Sequence, residues 1–221
     1  MLRFVVTDID GTIVDSMPKY VSAFCALVEP FGISQERARE MYFGSAGTPI
    51  DLQFKQVLQS SGVDLADDAV KELVRLFFEK AREVRSPPFP GARDVLQEIK
   101  ARGLLLCATS GSNTGELKEI FAQEGLEYYV VLGSDVIKKG DLHIQRFAEY
   151  FGVSLAEFCS QAIYLGDGPT DMEIARRNGI LACGITTTVS REKLIAAGAE
   201  VVVQTLLGFR DVVRSFQYLR G

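Results

Sequence analysis

The sequence predicts an α/β protein, in which a doubly wound parallel sheet carries a smaller inserted helical domain. From residue 90 onward, short apolar runs alternate with amphipathic segments, as in chains built from strand–helix–strand units. The runs are continuously apolar, which is typical of strands covered by helices on both faces. Residues 15–88 instead show helical periodicity and almost no strand signal. These three observations predict a Rossmann-like core with a helical insert.

Six apolar runs are the predicted strands of the core. They occupy residues 3–8, 104–108, 129–132, 162–165, 180–183 and 201–203, of which 180–183 is the weakest. Helix-like stretches lie between them, near 92–102, 114–124, 142–151, 171–178 and 191–197. Each stretch is long enough for the crossover connection that joins two parallel strands.

The insert is expected to divide the chain into a core domain of residues 1–14 and 89–221 and a cap domain of residues 15–88. A chain of 221 residues exceeds the usual size of one compact domain, which favours such a division. The return boundary is Ser86-Pro87-Pro88-Phe89-Pro90-Gly91, whose prolines exclude a continuous helix. Two adjacent connections would form a hinge, so we expect a moving lid, with a rigid subdomain as the alternative.

Composition limits the partners of the protein. The formal net charge of −5 gives no electrostatic reason to expect nucleic acid or an anionic membrane. No apolar run approaches the roughly 18 residues that suggest a membrane span. The N-terminus enters directly into a strand-like run without a basic leader, so we expect a cytoplasmic protein. A small molecule is the expected partner.

Cysteine and histidine usage limits the metal chemistry. The four cysteines, at positions 25, 107, 159 and 183, form no C-x-x-C pair, and we expect reduced, partly buried thiols. The single histidine, His143, cannot build a histidine-rich metal site.

The first of four polar clusters at predicted strand ends is Asp8-Ile9-Asp10-Gly11-Thr12. Residues two apart in an extended chain point the same way, so Asp8 and Asp10 can face one crevice while Ile9 turns towards the core. Gly11 then permits a tight turn. Two carboxylates this close need a cation or a shared proton, and oxygen ligands favour Mg²⁺. Taken alone, the cluster is also explained by an aspartate-rich turn without function.

The other clusters follow the predicted strands at 104–108, 129–132 and 162–165. They are Thr109-Ser110-Gly111-Ser112-Asn113, Lys138-Lys139-Gly140-Asp141 and Gly166-Asp167-Gly168-Pro169-Thr170-Asp171. The first offers hydroxyls and N–H groups that suit phosphate oxygens, although a plain helix cap would also explain it. A lysine of the second can neutralise a nucleophile and a phosphate, although lysine pairs are usually surface features. In the third, Asp167 can complete a metal site, while Asp171 can cap a helix or orient the loop.

In this order the four clusters resemble the motifs of the haloacid dehalogenase superfamily of aspartate-nucleophile phosphotransferases. The resemblance covers essentially the whole chain, and four motifs correctly placed on strands are far more specific than any one of them. It implies a phosphatase with a small α-helical cap that acts on a small phosphorylated metabolite. The run from Asp10 to Pro18 is similar to the phosphoglycolate phosphatase subgroup, which also resembles the beta-phosphoglucomutases, but it is too widely shared to fix a substrate.

The resemblance assigns roles to individual positions. Asp8 would attack phosphorus to form an aspartyl phosphate, and Asp10 would act as general acid and base. Mg²⁺ would be bound by the Asp8 carboxylate, the Asp10 carbonyl and Asp167. Thr109, the backbone N–H of Ser110 and a lysine would hold the phosphoryl oxygens. Residues next to the reacting groups would orient them, and these are Gly11, Thr12 and Asp171.

The resemblance leaves two candidate lysines and several candidate cap residues. Counting back from Gly152 supports Lys138, whereas Lys139 matches relatives with Lys-Gly before an acidic residue, and we favour Lys139. The turn at residues 44–49 lies where such caps reach the substrate, with a plain helix connection as the alternative. Tyr20, Gly47 and Thr48 are the candidate specificity residues of the cap.

Other functions remain as rivals of simple hydrolysis. A sugar phosphomutase is the nearest, although mutases of this group tend to carry a histidine about where Tyr20 stands. Hydrolytic dehalogenases of the superfamily typically have a different residue at the position of Asp10, so Asp10 argues against dehalogenation. A non-catalytic phosphoryl-dependent switch would also use a strand-end aspartate, a hydroxyl residue and a lysine, but Asp10 and the insert argue against it. None of these patterns indicates the oligomeric state.

Overall fold

The computed structural model describes residues 1–45, 48–135 and 137–216. The chain divides into two compact units. The first is Met1–Asp15 with Pro87–Gly221, and the second is Ser16–Ser86.

The first unit contains a six-stranded, wholly parallel sheet in the order β3-β2-β1-β4-β5-β6. Its strands are β1 (Phe4–Asp8), β2 (Leu105–Thr109), β3 (Val130–Leu132), β4 (Ala162–Gly166), β5 (Leu181–Ile185) and β6 (Val201–Val203). The strand order reverses on either side of β1, so the crevice at its carboxyl end is the place where such sheets bind ligands. The predicted fold class is confirmed.

The register of the sheet brings the polar clusters to one edge. Asp8 lies opposite Thr109 across the β1 and β2 pair. On the other side of β1, Thr7 lies opposite Leu165, and Asp167 follows the end of β4. Every residue of β1 and β4 is buried, which explains why both runs are apolar throughout except near their carboxyl ends.

The second unit is a helical bundle. It contains α1 (Met17–Val28), α2 (Gln35–Gly44), α3 (Ile50–Gln59) and α4 (Asp67–Arg82), with a short 3₁₀ helix at Glu29–Phe31. Its core is rich in aromatic side chains: the rings of Phe24 and Phe54 stack with centroids 4.8 Å apart, and Phe77 meets Phe54 edge to face. Buried side chains on α4 recur every three or four residues, as an amphipathic helix requires.

Among its described residues the first unit contains seven helices, six of which lie between strands in the chain, while the last follows β6. They are α5 (Ala92–Ala101), α6 (Thr114–Glu124), α7 (Asp141–Tyr150), α8 (Leu155–Ser160), α9 (Pro169–Arg177), α10 (Arg191–Ala197) and α11 (Leu206–Ser215). Helices α8 and α11 were not among the predicted helices. Helix α8 has only six residues, too few for a periodic pattern. Helix α11 does carry a signal, since Thr205 caps it and its buried residues Leu206, Phe209 and Val213 lie three and four positions apart.

Three further features bear on the expectations from sequence. Val14 forms an antiparallel bridge with Pro88, and the N–H of Asp15 donates to the Pro87 carbonyl at 2.8 Å, so these two chain segments lie side by side. All four cysteines are buried free thiols, as predicted. Within the described part of the chain, no helix combines the length and the apolar character needed to cross a membrane.

Candidate active site

A buried ion pair occupies the carboxyl end of β1. Asp8 is the last residue of that strand, and its side chain is almost wholly buried. Nζ of Lys139 lies 2.5 Å from Oδ1 of Asp8 and 2.7 Å from Oδ1 of Asp171. The lysine therefore bridges two carboxylates that come from β1 and from the start of α9.

The loop before α7 positions this lysine. The N–H of Lys139 donates to the Ser134 hydroxyl at 3.0 Å, and that hydroxyl donates to the carbonyl of Ser110 at 3.1 Å. The loop is thus tied to the end of β2. The side chain of Lys138, the other candidate, is exposed. Of the two lysines, the structure brings Lys139 to Asp8.

Three carboxylates lie close enough to share a cation. Among the described residues, oxygens of Asp8, Asp167 and Asp171 all lie within 4.8 Å of one another, and all three side chains are buried. Burial raises the pKa of Asp8 well above its ordinary value, although Lys139 acts against this, and burial also raises the pKa of Asp167. Because the cluster contains three carboxylates and one lysine, its full ionisation leaves a net negative charge that a hard divalent cation can neutralise. This donor set fits Mg²⁺.

The turn after β1 supports the same cluster. The Thr12 hydroxyl donates to Oδ1 of Asp167 at 2.7 Å and lies 3.4 Å from Oδ2 of Asp8. Gly11 has φ of +81°, and a Cβ at this position would collide with the Asp167 carboxylate. Only glycine lets this turn pass so close to Asp167. Ile9 is buried in the core of the unit, as predicted.

Asp171 lies in the first turn of α9 and contacts Lys139. Its Oδ2 accepts from the N–H of Gly168 at 3.2 Å, which satisfies one donor at the helix start. Its Oδ1 accepts from the Tyr164 hydroxyl at 3.1 Å. Tyr164 lies in β4 and was not among the predicted site residues, because a tyrosine within an apolar strand gives no sign that its hydroxyl reaches a carboxylate.

Asp10 is held by two serines of the loop after β2. The hydroxyls of Ser110 and Ser112 both donate to Oδ2 of Asp10, at 2.8 and 2.6 Å. The N–H of Ser112 also donates to the Ser110 hydroxyl at 2.8 Å, which closes the loop on itself. Ser112 was part of the predicted cluster but was not singled out for this contact.

The backbone N–H of Ser110, which the resemblance assigns to a phosphoryl oxygen, has a hydrogen-bond partner within the sheet. Its N–H donates to the Leu132 carbonyl at 3.0 Å, as an extension of the β2 and β3 pairing. In this arrangement the N–H belongs to the hydrogen bonding of the sheet, and its role in holding a phosphoryl oxygen stays a prediction. The sequence could not reveal this, since the length of the β2 and β3 ladder depends on how the two strands align.

Thr109 is bonded to the single histidine. Oγ1 of Thr109 lies 2.7 Å from Nδ1 of His143, and Nε2 of His143 lies 2.8 Å from the Ile137 carbonyl oxygen. His143 is only 1% exposed. In the sequence, this single histidine spoke only against a histidine-rich metal site, and its helical spacing on α7 gave no other signal.

The predicted cap residues lie in the second unit. The Tyr20 ring stacks on Phe77 with centroids 5.6 Å apart. The carbonyl of Thr48 accepts from the Gln53 side chain at 2.7 Å. Gly47 lies outside the described residues. Their role in specificity stays a prediction.

Known proteins resemble this chain in sequence and in fold. Residues 5–185 match the family described as haloacid dehalogenase-like hydrolase. The chain is 28% identical to the Dickeya dadantii protein named "Probable phosphatase IndB", with 96% of this chain and 93% of that protein covered. It is 25% identical to a phosphoglycolate phosphatase of Vibrio parahaemolyticus, with 96% of each covered. The crystal structure of a predicted phosphoglycolate phosphatase from Haemophilus somnus aligns with a TM-score of 0.81 at 16% identity, covering 96% of this chain and 98% of that one.

Proposed function

The chain belongs to the haloacid dehalogenase-like hydrolases, and we propose that it hydrolyses a phosphomonoester of a small metabolite with Asp8 as the nucleophile. Membership of the family confirms the resemblance predicted from the motifs. The observation that carries the proposal is the position of Asp8, a buried carboxylate at the end of the central strand, bridged by Lys139 to Asp171. A carboxylate in this place has a cationic partner and lies at the strand end beside which doubly wound sheets bind ligands.

The proposed reaction has two displacements at phosphorus. First, a carboxylate oxygen of Asp8 attacks phosphorus, the bond to the ester oxygen breaks, and Asp10 gives a proton to that leaving oxygen. Second, Asp10 removes a proton from water as the water oxygen attacks the aspartyl phosphate. The bond between phosphorus and Asp8 then breaks, which releases inorganic phosphate and restores both aspartates.

Asp10 is in a suitable place for this role. Its carboxylate lies two residues beyond Asp8 and is oriented by the hydroxyls of Ser110 and Ser112. A group that must both give and take a proton needs a fixed position near the reacting oxygen. The two serines supply such an orientation from a loop at the same edge of the sheet.

Lys139 would offset charge in both steps. Its ammonium group contacts Asp8 directly; burial lowers the pKa of Lys139, but the negative charges of Asp171 and Asp8 raise it well above its ordinary value. The lysine is therefore protonated at neutral pH. A fixed positive charge beside the nucleophile stabilises the negative charge that gathers on the transferring phosphoryl group.

Mg²⁺ is the proposed cofactor. Asp8 and Asp167 would bind it together with the Asp10 carbonyl, while Asp171 and Thr12 orient the ligands through the contacts described above. When bound, the ion supplies charge neutralisation between the carboxylates and the phosphate, so that two anionic groups can approach.

The substrate proposed for first testing is 2-phosphoglycolate, because several similar proteins are named phosphoglycolate phosphatases. The experiment measures release of inorganic phosphate, with Mg²⁺ and after its removal, from p-nitrophenyl phosphate and a panel of phosphorylated metabolites. Asp8→Asn should abolish turnover, whereas Asp64→Asn, at an exposed position of the helical unit, should leave it unchanged. Retained activity in Asp8→Asn would reject the proposed nucleophile.

The same panel separates the rivals. Interconversion of a sugar 1-phosphate and 6-phosphate without matching phosphate release would replace hydrolysis by a mutase reaction. Absence of steady turnover, with a stable phosphoryl group on the protein, would indicate a switch.

A further inference from the structure

His143 and Thr109 share a hydrogen bond. Its direction follows from the contact that His143 makes with the carbonyl oxygen of Ile137. Nε2 of His143 lies 2.8 Å from the carbonyl oxygen of Ile137, and a carbonyl oxygen can only accept. Nε2 therefore carries a hydrogen. In a neutral imidazole Nδ1 then has none, so it accepts the hydrogen of the Thr109 hydroxyl across the 2.7 Å contact.

The surroundings favour the neutral form of the histidine. Burial lowers the pKa of His143, and the positive charge of Lys139 lowers it further, while the backbone carbonyls of Ile137 and Gly133 act in the opposite direction. Other charged side chains on α7 and on the neighbouring α8 are already bonded to oppositely charged or polar groups. They are Asp141 with Arg177 and Asn178, Arg146 with Glu149, and Glu157 with Arg3.

This arrangement conflicts with the role that the resemblance implies for Thr109, which is to hold a phosphoryl oxygen. A hydroxyl has one hydrogen, and here that hydrogen is directed at Nδ1 of His143, so Oγ1 offers only lone pairs to a phosphoryl oxygen. Turning the hydroxyl away would leave Nδ1 as a buried acceptor without a partner, which costs free energy. A proton on Nδ1 removes the conflict, because Nδ1 then donates to Oγ1 and the hydroxyl is released to donate to phosphate.

We propose that His143 is a positioning residue which takes up a proton when phosphate binds and thereby turns the Thr109 hydroxyl towards a phosphoryl oxygen. The inference rests on the proposed function, since it assumes that phosphate binds beside Thr109. The proton comes from solvent, Nε2 keeps its hydrogen bond to Ile137, and no other bond is formed or broken. The negative charge of the bound phosphate stabilises the imidazolium through the hydroxyl between them.

The single histidine makes the test direct, because a tag-free protein labelled with ¹⁵N gives imidazole signals from His143 alone. NMR spectra that correlate the two ring nitrogens with the ring hydrogens are recorded with Mg²⁺ at neutral pH, before and after saturation with inorganic phosphate. Sodium chloride of equal ionic strength is the control. The free protein should show the neutral form with hydrogen on Nε2, and the phosphate complex should show both nitrogens protonated.

The outcomes distinguish the inference from the function on which it rests. If phosphate shifts the Thr109 amide signal but the imidazole stays neutral, the inference is wrong while phosphate binding stands. If phosphate shifts neither signal, the anion does not bind at this site, and both are rejected.

A variant of Thr109 tests whether its hydroxyl is needed for the protonation of His143, or whether the phosphate charge acts on the imidazole directly. In Thr109→Val the hydroxyl is absent, so the histidine should stay neutral when phosphate is raised until the signals around Lys139 saturate. Protonation of His143 in this variant would show that Thr109 does not relay the change, and it would overturn the proposed positioning role.

Discussion

The ammonium group of Lys139 lies 2.5 Å from Oδ1 of Asp8, although 131 positions separate the two residues in the chain. Both side chains are largely buried, so the pair is screened little by water or salt. The contact joins the end of the central strand to the loop before α7. It links the predicted nucleophile to one of the two candidate lysines. Replacing each lysine in turn can therefore show which of them supports Asp8.

Replacing Lys139 by methionine should lower kcat by about 10²- to 10³-fold, as loss of one preorganised electrostatic partner does. It should also lower the free energy of unfolding, because Asp8 and Asp171 remain buried without their shared cation. Lys138→Met is the matched control, and since that side chain is exposed, its kcat should stay within about twofold. The reverse ranking of the two variants would assign the role to Lys138.

Mg²⁺ should stabilise the protein more at higher pH. Burial raises the folded-state pKa of Asp8 and Asp167 above their values in the unfolded chain. The metal-free folded protein therefore binds more protons than the unfolded chain, and these two groups reduce its stability as pH rises from about 4. Mg²⁺ competes with those protons, so the increase in Tm on adding it should be larger near about pH 8 than near about pH 5.

Thermal unfolding with and without Mg²⁺ measures this difference. At a Mg²⁺ concentration about 100 times its Kd, the stabilisation should reach about 2.7 kcal/mol. Asp167→Asn should lose most of it. An equal Mg²⁺ effect in Asp167→Asn and in the unmodified protein would place the metal elsewhere.

Gly11→Ala should damage the site beyond its effect on the backbone. Gly11 and Gly103 have similar φ angles, +81° and +77°, so alanine at either position carries a similar conformational cost of about 1 to 2 kcal/mol. A Cβ at Gly103 meets nothing within 4 Å, whereas one at Gly11 collides with Asp167. Both variants should lose stability, but only Gly11→Ala should also lose activity and the Mg²⁺ response. Equal activities in the two variants would refute this use of Gly11.

Ser112→Ala should reduce kcat by about tenfold, equivalent to roughly 1.4 kcal/mol, with little change in KM. The reason is that Asp10 loses one of the two hydroxyls that orient its carboxylate, while the contacts of Asp8 and Lys139 are untouched. Ser160→Ala, at an exposed serine on α8, is the control. A rise in KM at constant kcat would mean instead that Ser112 contacts the substrate.

Much of the fold follows from local patterns in the sequence. Strands buried on both faces are continuously apolar, so β1 and β4 could be located, and the rule for ligand sites in doubly wound sheets then places Asp8, Thr109 and Asp167 at one edge. The choice between two adjacent lysines could not be settled in this way. It depends on the course of an irregular loop, which is fixed by the contacts of Ser134 rather than by periodicity.

Side-chain contacts across the fold were the other part that sequence could not supply. The bond between Thr109 and His143 joins β2 to α7, and the bond between Tyr164 and Asp171 joins β4 to α9. Each depends on rotamers and on distances set by packing. For the same reason, the use of the Ser110 N–H in the sheet became visible only when the alignment of β2 and β3 was known.

The most direct test of the account is to trap the covalent intermediate at Asp8. The enzyme is mixed with Mg²⁺ and substrate, quenched in acid during turnover and treated with borohydride, which reduces an aspartyl phosphate to homoserine. Peptide mass spectrometry then locates the reduced residue. Homoserine is expected at position 8, dependent on substrate and absent from Asp8→Asn. Reduction at another aspartate, or turnover with no reduced residue at position 8, would contradict it.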